Sequence, residues 1–487
     1  MTPATIIITI LAYFAVILTI SWFTGRKSDN AGFFTGNRKQ SWYIVAFAMI
    51  GSAMSGVTFV SVPGMVATSG FGYMQMALGF IAGQLVIAFV LIPLFYKMNL
   101  VSIYEYLEGR FGISTYKTGA WFFFLSKMTG ASVRLYLVCL SLQLMVFGPL
   151  GLPFYINVIV TVLILLAYTF RGGVKAVIWI DFLKTFCMIV SIVLCTLFIS
   201  KALGFTFGTM CKAVADSDMS RIFYFDDPNS PQFFFKQFFG GMFTVIAMTG
   251  LDQDMMQKNL SCRNLHEAQK NMYCYGISFV PVNLLFLSLG ILLLIAAPQL
   301  GIELPAKGDD ILPLFAAEGY LGPTVLVLFT IGIIAAAFSS ADSALAALTT
   351  SFCIDILGTE KQTEQKAAAT RRKVHLLICT AFVACMLAFE ALGRQSVIDT
   401  IYVLASYTYG PLLGLFVFGL FTKKIPTDRF VPYVAIASPV VCYLIDWGTF
   451  TATGYKFGYE MLMLNGLLTF MGLLALSVKN KGSYITK

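Results

Sequence analysis

Within the apolar stretch IIAAAFSSADSALAAL, Ile333 to Leu348, three serines and an aspartate fall in five residues: Ser339, Ser340, Asp342 and Ser343. On a helix, Ala336, Ser339, Ser340 and Ser343 follow the i, i+3, i+4, i+7 rule and share one face. Asp342 borders that face. Hydroxyls, carbonyls and a carboxylate are hard oxygen donors, suited to a hard cation rather than to zinc or copper. Serine and alanine also let membrane helices pack closely, and for the serines alone that is the stronger reading. Asp342 shifts the balance. A carboxylate in hydrocarbon costs several kcal/mol uncompensated, so it needs a counter-charge, a proton or a cation.

A second acid, Asp181, lies in RGGVKAVIWIDFLKTF, about two turns above the start of its apolar run. An ion pair with Lys184 at i+3, a protonated carboxyl and a cation ligand are all open to it. Lys127 and Arg134, in SKMTGASVRLYLV, are seven residues apart and share a helix face. Arg134 is close to mid-membrane. A buried arginine suits bidentate recognition of a carboxylate, and a salt bridge to Asp342 or another internal acid is an equal alternative.

These residues need helices to hold them. The chain is 487 residues long, 58% hydrophobic and 12% charged, with a mean hydropathy of +0.80. A soluble chain carries about twice that charge fraction. Many apolar runs exceed the ~20 residues that cross a bilayer core, and they are continuous rather than alternating, which excludes a β-barrel. The expected fold is an all-α polytopic membrane protein with about 13 spans, at 4–24, 41–68, 71–97, 118–147, 151–170, 174–201, 232–257, 271–298, 322–356, 374–394, 397–422, 428–447 and 457–478. The first run is too long for a signal peptide and reads as a retained helix.

Alternate loops are basic, among them GRKSDNAGFFTGNRKQ, KNLSCRNLHEAQK and KQTEQKAAATRRK. The positive-inside rule makes this set cytoplasmic, with the N-terminus outside and the C-terminus inside. The net charge of +9 therefore serves topology, and no nucleic-acid partner is expected. The ten cysteines have no paired or metal-ligand spacing. No nucleotide-binding motif occurs. Of the outer loops, DDILPLFAAEGY reads as a short surface helix.

Segment 41–68 is interrupted by GSAMSG, Gly51 to Gly56, and then by Pro63-Gly64. Helix-weakening residues are tolerated in a span where they line a cavity. Segment 232–257 carries Gly240-Gly241 and Gly250. Two interrupted spans five spans apart are what an inverted five-plus-five repeat predicts. The expected organisation is a leading helix (1–24), a first repeat (41–201), a second repeat (232–422) and two C-terminal helices (428–478).

GGVKAVIWIDFLKTF, GLDQDMMQKNLS…EAQK, AAAFSSADSALAALTTSFCIDIL and YTYGPLLGLFVFGLFTKK occur in this order. With them the chain resembles the sodium:solute symporter family over nearly its whole length. The resemblance implies the leucine-transporter fold, with ten core helices in two inverted repeats and extra helices at the ends. It also implies sodium ions as the coupling cation. The first sodium site would take carbonyls of Gly51, Met54 and Ala336 and hydroxyls of Ser339 and Ser340. In some members a second sodium site maps to Asp181, Ser339, Asp342 and Ser343, where Asp342 departs from the family's serine. Two acids there could tighten sodium or leave one acid protonated, or Lys184 could neutralise one. Substrate positions map to Ser55, Thr58 and Arg134, which suggests an anionic sugar or another carboxylate. The aromatic that stacks on the sugar in the family's galactose transporter is Met248 here, and the sodium-linked aspartate of its proline symporter is Ala53. Tyr407 and Tyr409 could line the cavity or simply pack.

The expected function is sodium-coupled import of a small organic solute, a sugar or sugar acid such as sialic acid, by alternating access. No catalysis is expected: only His266 and His375 exist, and no acid–histidine cluster has catalytic spacing. The partners are sodium, the solute and the bilayer, with the chain working as a monomer in the plasma membrane, the inner membrane in a bacterium. Proton coupling through Asp342 or Asp181 is the nearest alternative, and a non-transporting membrane sensor the next.

Overall fold

The computed structural model describes residues 3–25, 30–54, 56–170, 173–305, 307–317, 323–392, 394–455, 457–458 and 460–478. Backbone polar groups in a bilayer must bond within their own segment, so the apolar runs become helices. In chain order these are α1 (Pro3–Gly25), α2 (Trp42–Ala53), α3 (Gly56–Gly64), α4 (Tyr73–Val86), α5 (Ile113–Leu142), α6 (Phe154–Thr169), α7 (Gly173–Ala202), α8 (Phe234–Val245), α9 (Gln253–Asn259), α10 (Leu265–Gln299), α11 (Pro323–Ser351), α12 (Glu364–Leu392), α13 (Arg394–Phe421), α14 (Val431–Thr453) and α15 (Glu460–Ala475). Two-residue strands at Ile425–Pro426 and Ser477–Val478 pair antiparallel beside α15.

Every expected apolar segment contains a helix. Length and hydropathy support seven spans among the described residues, or eight if one bent pair counts as a single span, with five further apolar helices of 10–17 residues. That measure does not by itself confirm the expected thirteen. Some segments fall short because they are broken, as α2 is at its end.

Two breaks matter for the site. α2 stops at Ala53, where Met54 turns extended with φ −89° and ψ 108°. Gly51 and Ser52 weaken the last turn, since glycine loses the most backbone entropy and serine competes for backbone hydrogen bonds. A helix end also leaves carbonyls without intrahelical donors. The second break follows a π-turn at Ile246–Gly250. The Phe234–Gly250 and Gln253–Asn259 segments meet at 71°. Asp252 restarts the helix as an N-cap, its carboxylate accepting the Asp254 N–H at 2.9 Å.

The break lies at Leu251-Asp252, directly after Gly250, one of the glycines singled out from sequence, and not at Gly240-Gly241. Gly241 serves packing instead: a Cβ there would stand 2.5 Å from the Met76 carbonyl of α4. The stretch after Gly308 does form a short helix, Ile311–Ala317. It is not a free surface helix, because Ile311, Leu312, Phe315 and Ala316 are buried. A Cβ on Gly64 would stand 2.2 Å from the Gly308 carbonyl, so this outer segment sits tightly on the end of α3.

Candidate functional site

Asp181 is where the helices that carry the candidate residues meet. It is fully buried on α7, and both carboxylate oxygens are occupied. Oδ1 accepts from the Ser339 hydroxyl of α11 at 2.7 Å. Oδ2 accepts from Ser52 of α2 at 2.9 Å and from Ser343 of α11 at 2.9 Å. α2 comes this close because Gly51 has no side chain: a Cβ there would lie 2.0 Å from Thr185 Oγ1. Thr185 is itself fixed by donating to the Asp181 carbonyl at 2.7 Å.

The structure thus brings Gly51 and Ser52 at the α2 break next to Asp181 and to Ser339 and Ser343 of α11. Ala336, Ser339, Ser340, Asp342 and Ser343 are all buried. Ser340 differs from its neighbours. Its hydroxyl has no hydrogen-bond partner among the described residues, although the side chain is only 3% exposed. A buried hydroxyl without a partner costs ~1–3 kcal/mol. Such an oxygen, one turn from Ala336 on α11, is a hard donor of the kind a hard cation takes.

Asp342 has protein partners on both oxygens. The Lys184 ammonium bonds Oδ2, and the Ser343 N–H donates to Oδ1 at 2.8 Å. Lys184 lies 3.9 Å from Asp181 Oδ1, so the i+3 pair expected from sequence is the weaker of its two contacts. Its ammonium also faces the Tyr168 ring, 5.1 Å from the centroid. Asp342 is therefore neutralised by a basic side chain, one of the alternatives the sequence left open.

The cation nearest Asp181 is one the sequence reading placed in a basic cytoplasmic loop. Lys258 of α9 is 2% exposed. Its ammonium lies 2.7 Å from Asp181 Oδ2 and bonds the hydroxyls of Ser52 and Ser343. Of that loop's basic residues, Arg263 and Lys270 are the exposed ones. The 71° turn before α9 carries Lys258 back into the protein. A helix start hidden in GLDQD, with aspartates at its N-terminus as the helix dipole favours, was the available signal.

Above this cluster lies a cavity enclosing about 1030 Å³, counted to its open mouth. Thr58 and Arg134, both expected at the substrate site, line it, as do Lys127, Met248, Asp252 and Tyr409. Ser55 lies outside the described residues, and Tyr407 is not among the lining residues. Lys127 is engaged by two acids from the second break, Asp254 at 2.7 Å and Asp252 at 3.1 Å. Tyr409 donates to Asp252 at 2.5 Å. The two aspartates were not singled out from sequence. Arg134, one face of α5 with Lys127, makes no ion pair or hydrogen bond among the described residues. Its expected partner Asp342 is taken by Lys184. Asn283 also lines the cavity, with its Oδ1 unbonded among the described residues.

Comparisons with known proteins identify the family and the fold. The model of the sodium:solute symporter family matches residues 33–428. The sodium/sialic acid symporter NanT of Aliivibrio fischeri is 25% identical over 441 residues, covering 86% of this chain and 83% of that protein. A putative sodium-dependent multivitamin transporter of Drosophila melanogaster is 25% identical over 456 residues, covering 89% and 74%. Among solved structures, a Na+-coupled sialic acid symporter in a substrate-bound outward-open state superposes with a TM-score of 0.81 at 20% identity, covering 96% of this chain and 97% of that one. At that identity the likeness speaks for the shared fold.

Proposed function

This chain belongs to the sodium:solute symporter family, integral membrane carriers that couple a small solute to sodium, and from that premise we propose that it imports a carboxylated solute of the sialic acid class through the Arg134 cavity. One observation carries the reading. Lys127 already has Asp252 and Asp254, whereas Arg134 lines the same cavity and pairs with no acid among the described residues. A guanidinium in a water-poor cavity recognises a planar carboxylate by two parallel hydrogen bonds. The unbonded Asn283 Oδ1 offers an acceptor for a hydroxyl or amide of the same solute. Thr58, and Ser55 beside it in sequence, are assigned to the solute's polar groups.

Sodium is assigned to the notch formed by the carbonyls of Gly51, Met54 and Ala336 and the hydroxyls of Ser339 and Ser340. An ion there ties the end of α2 to α11. Met54 also lines the cavity, so sodium and solute share one stretch of backbone. Each then tightens the other by the same factor. Loss of sodium to the cytoplasm releases the tie and favours the inward-open state. One sodium crossing ~100 mV contributes ~2.3 kcal/mol before its concentration gradient is added. Repeats over 41–201 and 232–422, each opening on a broken span, supply the moving parts. The basic loops assign the N-terminus to the outside of the plasma membrane and the C-terminus to the cytoplasm, and the chain is assigned as a working monomer.

Calorimetry on purified protein tests the solute class. Sialic acid is expected to bind in sodium chloride and far more weakly in choline chloride, and Arg134→Ala to lose binding. A neutral sugar bound as tightly as its acid, or sialic acid bound normally by Arg134→Ala, refutes the assignment.

A further inference from the structure

Lys258 reaches Asp181 from a different helix than any residue expected there. Its ammonium contacts oxygens on three helices: Ser52 of α2, Asp181 of α7 and Ser343 of α11. A fourth oxygen, Asp254 Oδ1, lies 3.9 Å away. An ammonium and a small hard cation ask for the same surroundings, a shell of oxygen acceptors with a nearby negative charge. Asp181 and Ser343 are two of the residues that would otherwise form a second sodium site. Of the other two, Asp342 is held by Lys184 and Ser339 donates its hydroxyl to Asp181 Oδ1 at 2.7 Å.

The charges balance without an added ion. Asp181 and Asp342 contribute two negative charges, and Lys184 and Lys258 two positive ones, all four side chains being buried, while Asp254, 3.9 Å from Lys258, has its closer cation in Lys127 at 2.7 Å. An extra sodium would give this buried cluster a net positive charge beside two ammonium groups, in a medium that screens them poorly. Asp181 Oδ2 already accepts from Ser52, Ser343 and Lys258.

We propose that the Lys258 ammonium is a tethered resident cation that fills the second cation position, so that the carrier couples its solute to a single sodium. Removing the ammonium uncovers a carboxylate, two hydroxyls and one net negative charge, the makings of a sodium site. Lys258 also lies on the short helix after the second break, so the same contact holds that helix against α2, α7 and α11.

The proposal rests on the first-site reading only in that the one counted sodium is the ion at Ser340. Equilibrium binding of radioactive sodium to purified full-length protein, in choline buffer, tests it. Wild type is expected to bind one sodium per chain with a Hill slope near 1. Lys258→Ala is expected to bind two with a slope approaching 2, and Lys258→Arg one. Two sodium ions per wild-type chain, or one per Lys258→Ala chain, overturn the proposal. No sodium bound by wild type overturns the first-site reading instead. Should Lys258→Ala not fold without sodium, the charge carried per solute by wild-type protein in voltage-clamped proteoliposomes decides. With a monoanionic solute, one sodium makes transport electroneutral, and an inward positive current with that solute would contradict the inference.

Discussion

Ser340→Ala removes one of five proposed sodium ligands from a place where the structure gives the hydroxyl nothing else to do. Hydrogen bonds to charged groups are worth ~1.5–3 kcal/mol, and a lost ion–hydroxyl contact of similar size lowers sodium affinity roughly 10- to 150-fold. The sign without sodium is opposite. A buried hydroxyl with no partner carries a desolvation cost of ~1–3 kcal/mol, so alanine leaves the sodium-free protein as stable as wild type or more so. Thermal unfolding in sodium chloride and in choline chloride separates the two effects. At sodium 100 times Kd the ion adds about 2.7 kcal/mol of stability; after a 30-fold loss of affinity it adds about 0.9 kcal/mol. About two-thirds of the sodium-induced stabilisation should vanish, with no loss in choline. A variant that keeps the full sodium effect, or that is destabilised in choline, refutes the reasoning.

Arg134→Ala should abolish solute binding while sodium still stabilises the protein, because the arginine lies in the cavity and outside the proposed sodium shell; parallel thermal titrations with sodium and with solute check this. Asp342→Asn should destabilise by roughly 3 kcal/mol, since it takes from the buried Lys184 ammonium the closer of its two carboxylates and leaves Asp181 at 3.9 Å; pairing it with Lys184→Met should recover most of that in denaturant unfolding. Glu105, in a short helix (Glu105–Arg110) between α4 and α5, supplies a pH test. Burial pushes its carboxyl up from 4.5 to about 7, against the opposing Ser102 N–H bond. The folded state then holds the proton more tightly, so this contribution is full below pH 4.5 and fades as pH rises through about 7. Thermal stability measured from pH 5 to 8 should fall, and Glu105→Gln should flatten that slope.

Much of the architecture was legible in the sequence because a bilayer leaves the backbone few options. Continuous apolar runs become helices, and GSAMSG is too weak a helix former to carry α2 through. The face holding Ser339, Ser340 and Ser343 follows from helical periodicity, and the depth of Asp181 from counting turns. What sequence spacing does not determine is which base meets which acid. Lys184 is three residues from Asp181, yet its tight partner is Asp342 on another helix. Lys258 reads as a loop lysine because KNLSCRNLHEAQK is as polar as a true loop. Only the bend at Asp252 turns it inward. Gly240-Gly241 resembles a break but provides a close helix contact, since a glycine that bends a chain and one that admits a neighbour look alike in one dimension.

The central claim is that sodium, bound where the end of α2 meets the serines of α11, drives the solute inward. Uptake of labelled solute into proteoliposomes measures it directly, with an inward sodium gradient in one sample and only an inward proton gradient in the other. Concentrative uptake is expected in the first alone, reduced by Ser340→Ala in a way that higher sodium restores. Equal uptake without sodium would contradict the account.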